Sequence, residues 1–290
     1  MSAIPDSIAS PADFVPRRVE PVALLALPGG LYLLFAFAIP LALLLLASLV
    51  SDGRFTLAGY AKFLADPFSW TVIVNTLRAA ALTTLICLIA GYPVAMALTK
   101  APGTLQGLLL AALIVPLSVG VVVKAFSWTI LLRSDGVVNK LLVGLGIVDA
   151  PVRLIFTETG LVLGAVNIFL PFMILPIFSV AKLIDPRLPE AAATLGSSPL
   201  YRFVHVTLPL TMPGIIAGVA FVFSMSVSMY VIPTLLMGDR FKTLSILIAR
   251  SFLFMRDRSL GSTVSVLLLL IAVAVVVLSA LLARRWQPRR

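Results

Sequence analysis

Six runs of apolar residues, each long enough to cross a lipid bilayer, set the solvent in which this chain must fold. They lie near Leu27–Val50, Arg78–Leu98, Leu108–Leu132, Gly160–Val180, Leu210–Met237 and Gly261–Ala283. A hydrocarbon core takes about 20 helical residues at about 1.5 Å each. Of the 290 residues, 60% are hydrophobic and 12% charged, with a mean hydropathy of +1.12. A water-soluble domain of this size lacks the interior to hide so much apolar surface and carries about twice the charge. The fold class expected is therefore all-α: a polytopic membrane protein with six transmembrane helices.

Three regions follow. Residues 1–26 read as a polar tail, 27–283 as the membrane domain with a polar loop at 185–209, and 284–290 as a basic tail. The first 20 residues hold Pro5, Pro11, Pro16, three acids and Arg17-Arg18 with no apolar core, so they are not a secretory signal. The net charge of +10 sits between the apolar runs rather than along an aromatic-rich stripe, which excludes nucleic acid as a partner. The single cysteine, Cys87, offers neither a disulfide framework nor a thiolate metal site.

An even number of spans puts both termini on one side. Arg17, Arg18, Arg284, Arg285, Arg289 and Arg290 favour the cytoplasm for that side. The full count is a tie, with ten basic residues in the segments on each side, so charge alone does not orient the chain. With termini inside, the outer loops include turn-forming Asp52-Gly53 and Asp135-Gly136, and an amphipathic stretch over 241–248 that suits a short interfacial helix or packing against other parts of a complex. Prolines interrupt the spans at Pro93, Pro116, Pro171, Pro176, Pro209, Pro213 and Pro233. Each removes a helical hydrogen bond, and in lipid the freed carbonyl needs protein or a water-filled path. As a set they suit a bundle bent around a pathway better than a plain anchor.

The loop between the fourth and fifth spans is a polar island. Asp185 can cap a helix with Pro186 at its first position, and Glu190 falls near the positive end of the helix dipole. Gly196 permits the left-handed turn that ends that helix, and Ser198-Pro199 can start a second one running to about Val206 before Leu208-Pro209 returns to the membrane. The small side chains of Ala191, Ala192 and Ala193 would let a partner backbone approach closely, with Glu190 offering a fixed charge. Two short helices at a glycine hinge, clamped by prolines, have the build of a lever.

On these residues the chain resembles the integral-membrane permease subunits of binding-protein-dependent ABC importers. Glu190-Ala191-Ala192, Gly196, Val206, Leu208 and Pro209 match that family's hallmark at every spacing, with Val206 in place of the more usual isoleucine. Further matches are Asn75-Thr76-Leu77, Gly91-Tyr92-Pro93, Trp128, Gly136 with Asn139, Leu170-Pro171-Phe172-Met173, and Pro213-Gly214-Ile215 with Gly218; these look most like the spermidine/putrescine permease group. The resemblance implies the type I importer permease fold, with the island as a cytoplasmic coupling helix seated on an ATP-hydrolysing subunit and both termini in the cytoplasm of a bacterial inner membrane. It also implies as partners a sister permease, two ATP-binding subunits and a periplasmic solute-binding protein. No glycine-rich Lys-Ser/Thr phosphate loop is present, so ATP and Mg belong to a partner and this chain binds no cofactor.

Candidate path residues lie in the third to fifth spans: Lys124, Phe126, Trp128, Phe172, Phe221, Met225 and Tyr230. Lys124 falls about eight residues from the outer end, where a lysine either snorkels or lines the path. The resembling permeases often carry arginine there. A cation on the path would repel a polyamine, so an inorganic oxyanion or another small organic solute stands beside a polyamine as the cargo. Arg78 reads as an interfacial anchor. A secondary transporter would show inverted repeats with acids at midplane, and neither is evident. A membrane enzyme would need convergent titratable groups, whereas the one histidine, His205, lies in the island.

Overall fold

The computed structural model describes residues 21–51, 54–185, 187–238 and 242–286. The tails 1–20 and 287–290, with Arg17, Arg18, Arg289 and Arg290, lie outside the described residues, as do Asp52-Gly53 and Pro186. The chain divides between Leu44 and Leu45 into two compact units. The first holds most of α1 (Pro21–Leu49), an apolar helix with Pro28 and Pro40 inside it. Its span-forming part, Leu27–Leu49, matches the expected first crossing.

The second unit takes in the last turn of α1 and then a minimal two-stranded ladder, β1 (Val50–Ser51) against β2 (Arg54–Phe55), the one departure from all-α among the described residues. After α2 (Ala58–Ala65), α3 runs from Pro67 to Lys100. At 34 residues it reaches about 50 Å, eleven residues further toward its N-terminus than the apolar run from Arg78 suggests. Asp66 caps it by accepting from the Phe68 N–H, and Pro67 sits where no N–H is needed.

The third span is not one helix. α4 (Gly103–Ile114) passes into a 3-10 turn at Val115–Ser118, and α5 (Val121–Leu131) leaves at 97°. Pro116 denies the helix a donor and the Val119-Gly120 step is extended, so the axis turns there. Counting this pair as one, six crossings exist; by continuous helices alone there are five. α6 (Val137–Gly144) follows, then α7 (Glu158–Lys182), capped by the Thr157 side chain. After the island come α10 (Leu208–Ser228), α11 (Val231–Leu236), α12 (Leu244–Arg250) and α13 (Arg258–Trp286). The fifth span therefore ends at Ser228, not Met237; Met229 is extended and α11 is a separate turn of helix. α12 continues through a π-helical turn to Met255, and buries Leu244, Ser245 and Ile246 against α3, α10 and α13. The expected interfacial helix thus packs within this chain.

The core lies where α3, α7 and α10 meet, with Met173, Ile174, Ile177, Leu161 and Val222 fully buried. Glycines set the approach. A Cβ on Gly214 would meet the Pro176 carbonyl at 2.8 Å and Ile177 Cα at 3.0 Å, and one on Gly218 would meet Met173 Sδ at 2.8 Å. This is the small-residue packing that lipid, which offers no hydrophobic drive between helices, requires. At the end opposite the island, Asn139 is 1% exposed and joins the loop before α6 to that after it: its amide donates to the Arg133 and Val152 carbonyls, 3.0 Å each, and its Oδ1 accepts from the Val152 N–H.

Candidate functional site

The island consists of α8 (Arg187–Thr194) and α9 (Pro199–Arg202) joined through Gly196. Asp185 accepts from the Arg187 N–H at 2.9 Å, and Glu190 stands exposed in the first turn. Gly196 takes φ +80°, its N–H reaches the Ala193 carbonyl at 3.0 Å, and the Ser197 N–H reaches that of Ala192 at 3.2 Å. This pair of bonds is a Schellman ending, which needs a left-handed residue at the glycine's position. Ser198 then caps α9 by accepting from the Tyr201 N–H at 3.3 Å. Ala191 and Ala193 are exposed, Ala192 is half-buried, and Leu195 is 88% exposed.

Leu208-Pro209 does not break the chain away from the island. α9 continues through a π-helical turn, Phe203–Thr207, directly into α10, so 199–228 is one helical run. Pro209 has no N–H to give the carbonyl one turn back; the wider turn, closed by the Leu208 N–H on the Phe203 carbonyl, accommodates that loss. Leu208 packs against the main core. Tyr92 of the Gly91-Tyr92-Pro93 motif ties this run to α3: its ring meets Phe203 edge-on at 5.7 Å and its hydroxyl lies 3.2 Å from Thr211 Oγ1. The helical run that follows the island is thus tied to α3 close to where it leaves α9. His205 stacks on Tyr201 at 4.0 Å and is exposed.

The candidate wall residues separate into two groups. Phe126, Phe221 and Tyr230 are open, at 53%, 58% and 41% exposed, whereas Trp128, Phe172 and Met225 are half-buried against the main core. Lys124 is half-buried in the first turn of α5, just past the 97° bend, rather than partway along a straight span. Trp128 donates its indole N–H to Asn167 Oδ1 at 3.2 Å. Asn167, an exposed carboxamide within α7, was absent from the sequence candidates although it is the single amide in the Gly160–Val180 run. Arg78 is more than an anchor: it pairs with Glu158 at 2.9 Å, joining α3 to the start of α7. Among the described residues no cluster of three His, Cys, Asp or Glu side chains is placed to hold a metal ion.

No family model matches the chain. Known proteins do. A spermidine/putrescine transport system permease protein PotB of Haemophilus influenzae is 36% identical over 242 residues, covering 81% of this chain and 84% of that protein. Its counterpart in Escherichia coli is 37% identical over 217 residues, 75% of this chain and 78% of the relative. The molybdenum transport system permease protein ModB of Azotobacter vinelandii is 30% identical over 164 residues, 57% of this chain and 71% of that one. Among solved structures, a chain of a bacterial ABC transporter involved in the import of the acidic polysaccharide alginate superposes with a TM-score of 0.76 at 16% identity, over 92% of this chain and 96% of that one. A chain of the MetNI methionine ABC transporter, in an inward-facing conformation, gives 0.58 at 17% identity over 77% and 100%. The chain belongs to the PotB-type permease subunits of ABC importers: a polytopic inner-membrane protein, itself no enzyme, in a machine whose ATP hydrolysis is carried by partner subunits.

Proposed function

We propose that this chain and a sister permease together form the path for a small organic cation of the polyamine type, handed over by a periplasmic binding protein and driven by two ATP-binding subunits. The substrate comes from the relatives, which are named as spermidine/putrescine permeases at 36–37% identity. The observation that carries the mechanism is the exposed, Schellman-ended α8, joined at Gly196 to α9, which itself runs without a break into α10. In this reading Glu190, Ala191, Ala192 and Gly196 seat against an ATPase subunit, Leu208 and Pro209 pass the motion to the membrane, and both termini lie on the cytoplasmic side with the island. Closure of the ATPase pair moves α8, and α10 with it, switching the path from inward-open to outward-open.

Co-expressed with its partners and reconstituted in liposomes, the wild type should show ATP hydrolysis stimulated by binding protein plus polyamine. Glu190→Ala and Gly196→Asp should lose that stimulation. A folded assembly that transports on an ion gradient without an ATPase partner would sink the reading. A second substrate class, an oxyanion or another acceptor-bearing solute, is favoured by one observation: Lys124 forms no ion pair among the described residues.

A further inference from the structure

Asn167 is the tenth residue of α7, about 14 Å along its axis, and on its own chain it is exposed. A carboxamide turned to hydrocarbon is costly, and a span broken as sharply as α4/α5 is tolerated at membrane depth only where it packs in protein or lines a water-filled cavity. Trp128, which bonds to Asn167, stands on α5 just after that break. Both features direct this face toward the path rather than lipid.

The chemistry of the face is one-sided. An indole N–H only donates, so the bond from Trp128 fixes the Asn167 carbonyl toward the ring and leaves the amide N–H2 free of partners among the described residues. Lys124 lies four residues before Trp128, on the same face of α5. The described membrane helices contain a single carboxylate, Glu158: its Oε2 takes Arg78 at 2.9 Å and its Oε1 is shut away from solvent without a partner. The guanidinium side of that pair is 64% exposed. The unpaired amide and the Lys124 charge on this face are therefore donors.

We propose that Asn167, held by Trp128, determines specificity on the path. Its amide N–H2, held by a tryptophan that stands one helical turn from Lys124 on α5, takes a hydrogen-bond acceptor of the passing solute, a carbonyl or carboxylate oxygen. This rests on the importer reading above and takes the second of its two substrate classes: the solute carries an acceptor group at one end instead of an ammonium at both.

The test is uptake by the full importer in proteoliposomes of three solutes that share a four-carbon backbone: putrescine, N-acetylputrescine and 4-aminobutyrate. Asn167→Asp keeps the volume and the carbonyl that Trp128 needs while removing the donor; Asn167→Leu removes the donor without adding charge. Each should lower the uptake of the acceptor-bearing solute relative to putrescine by about tenfold, the size of one hydrogen bond, with basal ATP hydrolysis and co-purification of the partners unchanged. Dependence on the acetyl solute points to a carbonyl, and dependence on the aminobutyrate to a carboxylate. A ratio within twofold of wild type in assembled variants overturns the proposal and leaves the importer reading standing. So does loss of the sister permease from both variants, which would make Asn167 an interface residue. Wild type that moves none of the three, with ATP hydrolysis indifferent to all, overturns both.

Discussion

Trp128 and Asn167 join two helices of different kind: the indole N–H on the short second half of a broken span donates at 3.2 Å to a carboxamide on the unbroken α7. α7 is the stiffer partner, buried against α3 and α10. α5 is held mainly by α11, and Leu236 of α11 fills the space that a side chain on Gly164 would need. The hydrogen bond adds a polar tie between α5 and α7 on the face of α5 that also carries Lys124.

Trp128→Phe keeps the ring packing and removes the donor. Hydrogen bonds between membrane helices are worth about 0.6 kcal/mol on average, so thermal unfolding in detergent should shift by no more than a few degrees. Solute-stimulated uptake should fall by several-fold, because Asn167 then turns freely. Unchanged uptake would show that the bond only packs the two helices.

Gly214 is a different kind of position. The atoms a Cβ would strike are backbone, the Pro176 carbonyl at 2.8 Å and Ile177 Cα at 3.0 Å, and these cannot swing aside. Gly214→Val should separate α7 from α10 at a cost of about 1–3 kcal/mol or more. The measurement is the yield of monodisperse protein, which should collapse. Gly107→Val, at a site with open space around it, should leave the yield intact.

Much of this architecture is legible in the residues because lipid leaves few choices: an apolar run of span length must be a helix. The island is legible for a local reason, since Asp185, Gly196 and Ser198 each satisfy backbone groups within a few residues of themselves. What hydropathy misses is direction. Pro116 marks a bend, but the extended Val119 and Gly120 that make it 97° depend on what α4 and α5 pack against. The eleven residues by which α3 exceeds the run counted from Arg78 mix Ser69, Thr71, Asn75 and Thr76 with apolar side chains, and their helix is set by the Asp66 cap and by the bonds of Asn75 and Thr76 to the 242–244 segment. Asn167 and the Arg78–Glu158 pair are long-range contacts, and no spacing along the chain announces them.

The Arg78–Glu158 pair is open on the arginine side, at 64% exposed, and half-covered on the glutamate side. Solvent screening keeps such a pair to about 1 kcal/mol or less. Arg78→Met should nonetheless be worse than that figure, because it leaves Glu158 charged with its buried Oε1 already lacking a partner. Adding Glu158→Gln to Arg78→Met should restore most of the loss. A double-mutant cycle on thermal stability checks this; a double variant as unstable as the single would show that Arg78 acts through packing.

Gly196 offers the sharpest separation of backbone from side chain. Nothing lies within 4 Å of where a Cβ would be, so a substitution there meets no clash, and its only cost is holding φ at +80°. For an ordinary L-residue the left-handed region costs about 1–2 kcal/mol, less for asparagine. If α8 is the lever that meets the ATPase, solute-stimulated ATP hydrolysis should follow the order glycine, asparagine, alanine. Thermal stability of the isolated membrane subunit should barely change, since α8 stands at its surface. Alanine would loosen the Schellman ending that joins Ser197 to Ala192, letting α8 swing relative to α9. The check is the stimulated rate against co-purification of the ATPase subunit across the three residues. A rate insensitive to all three, with the complex intact, would place the coupling contact elsewhere on this chain.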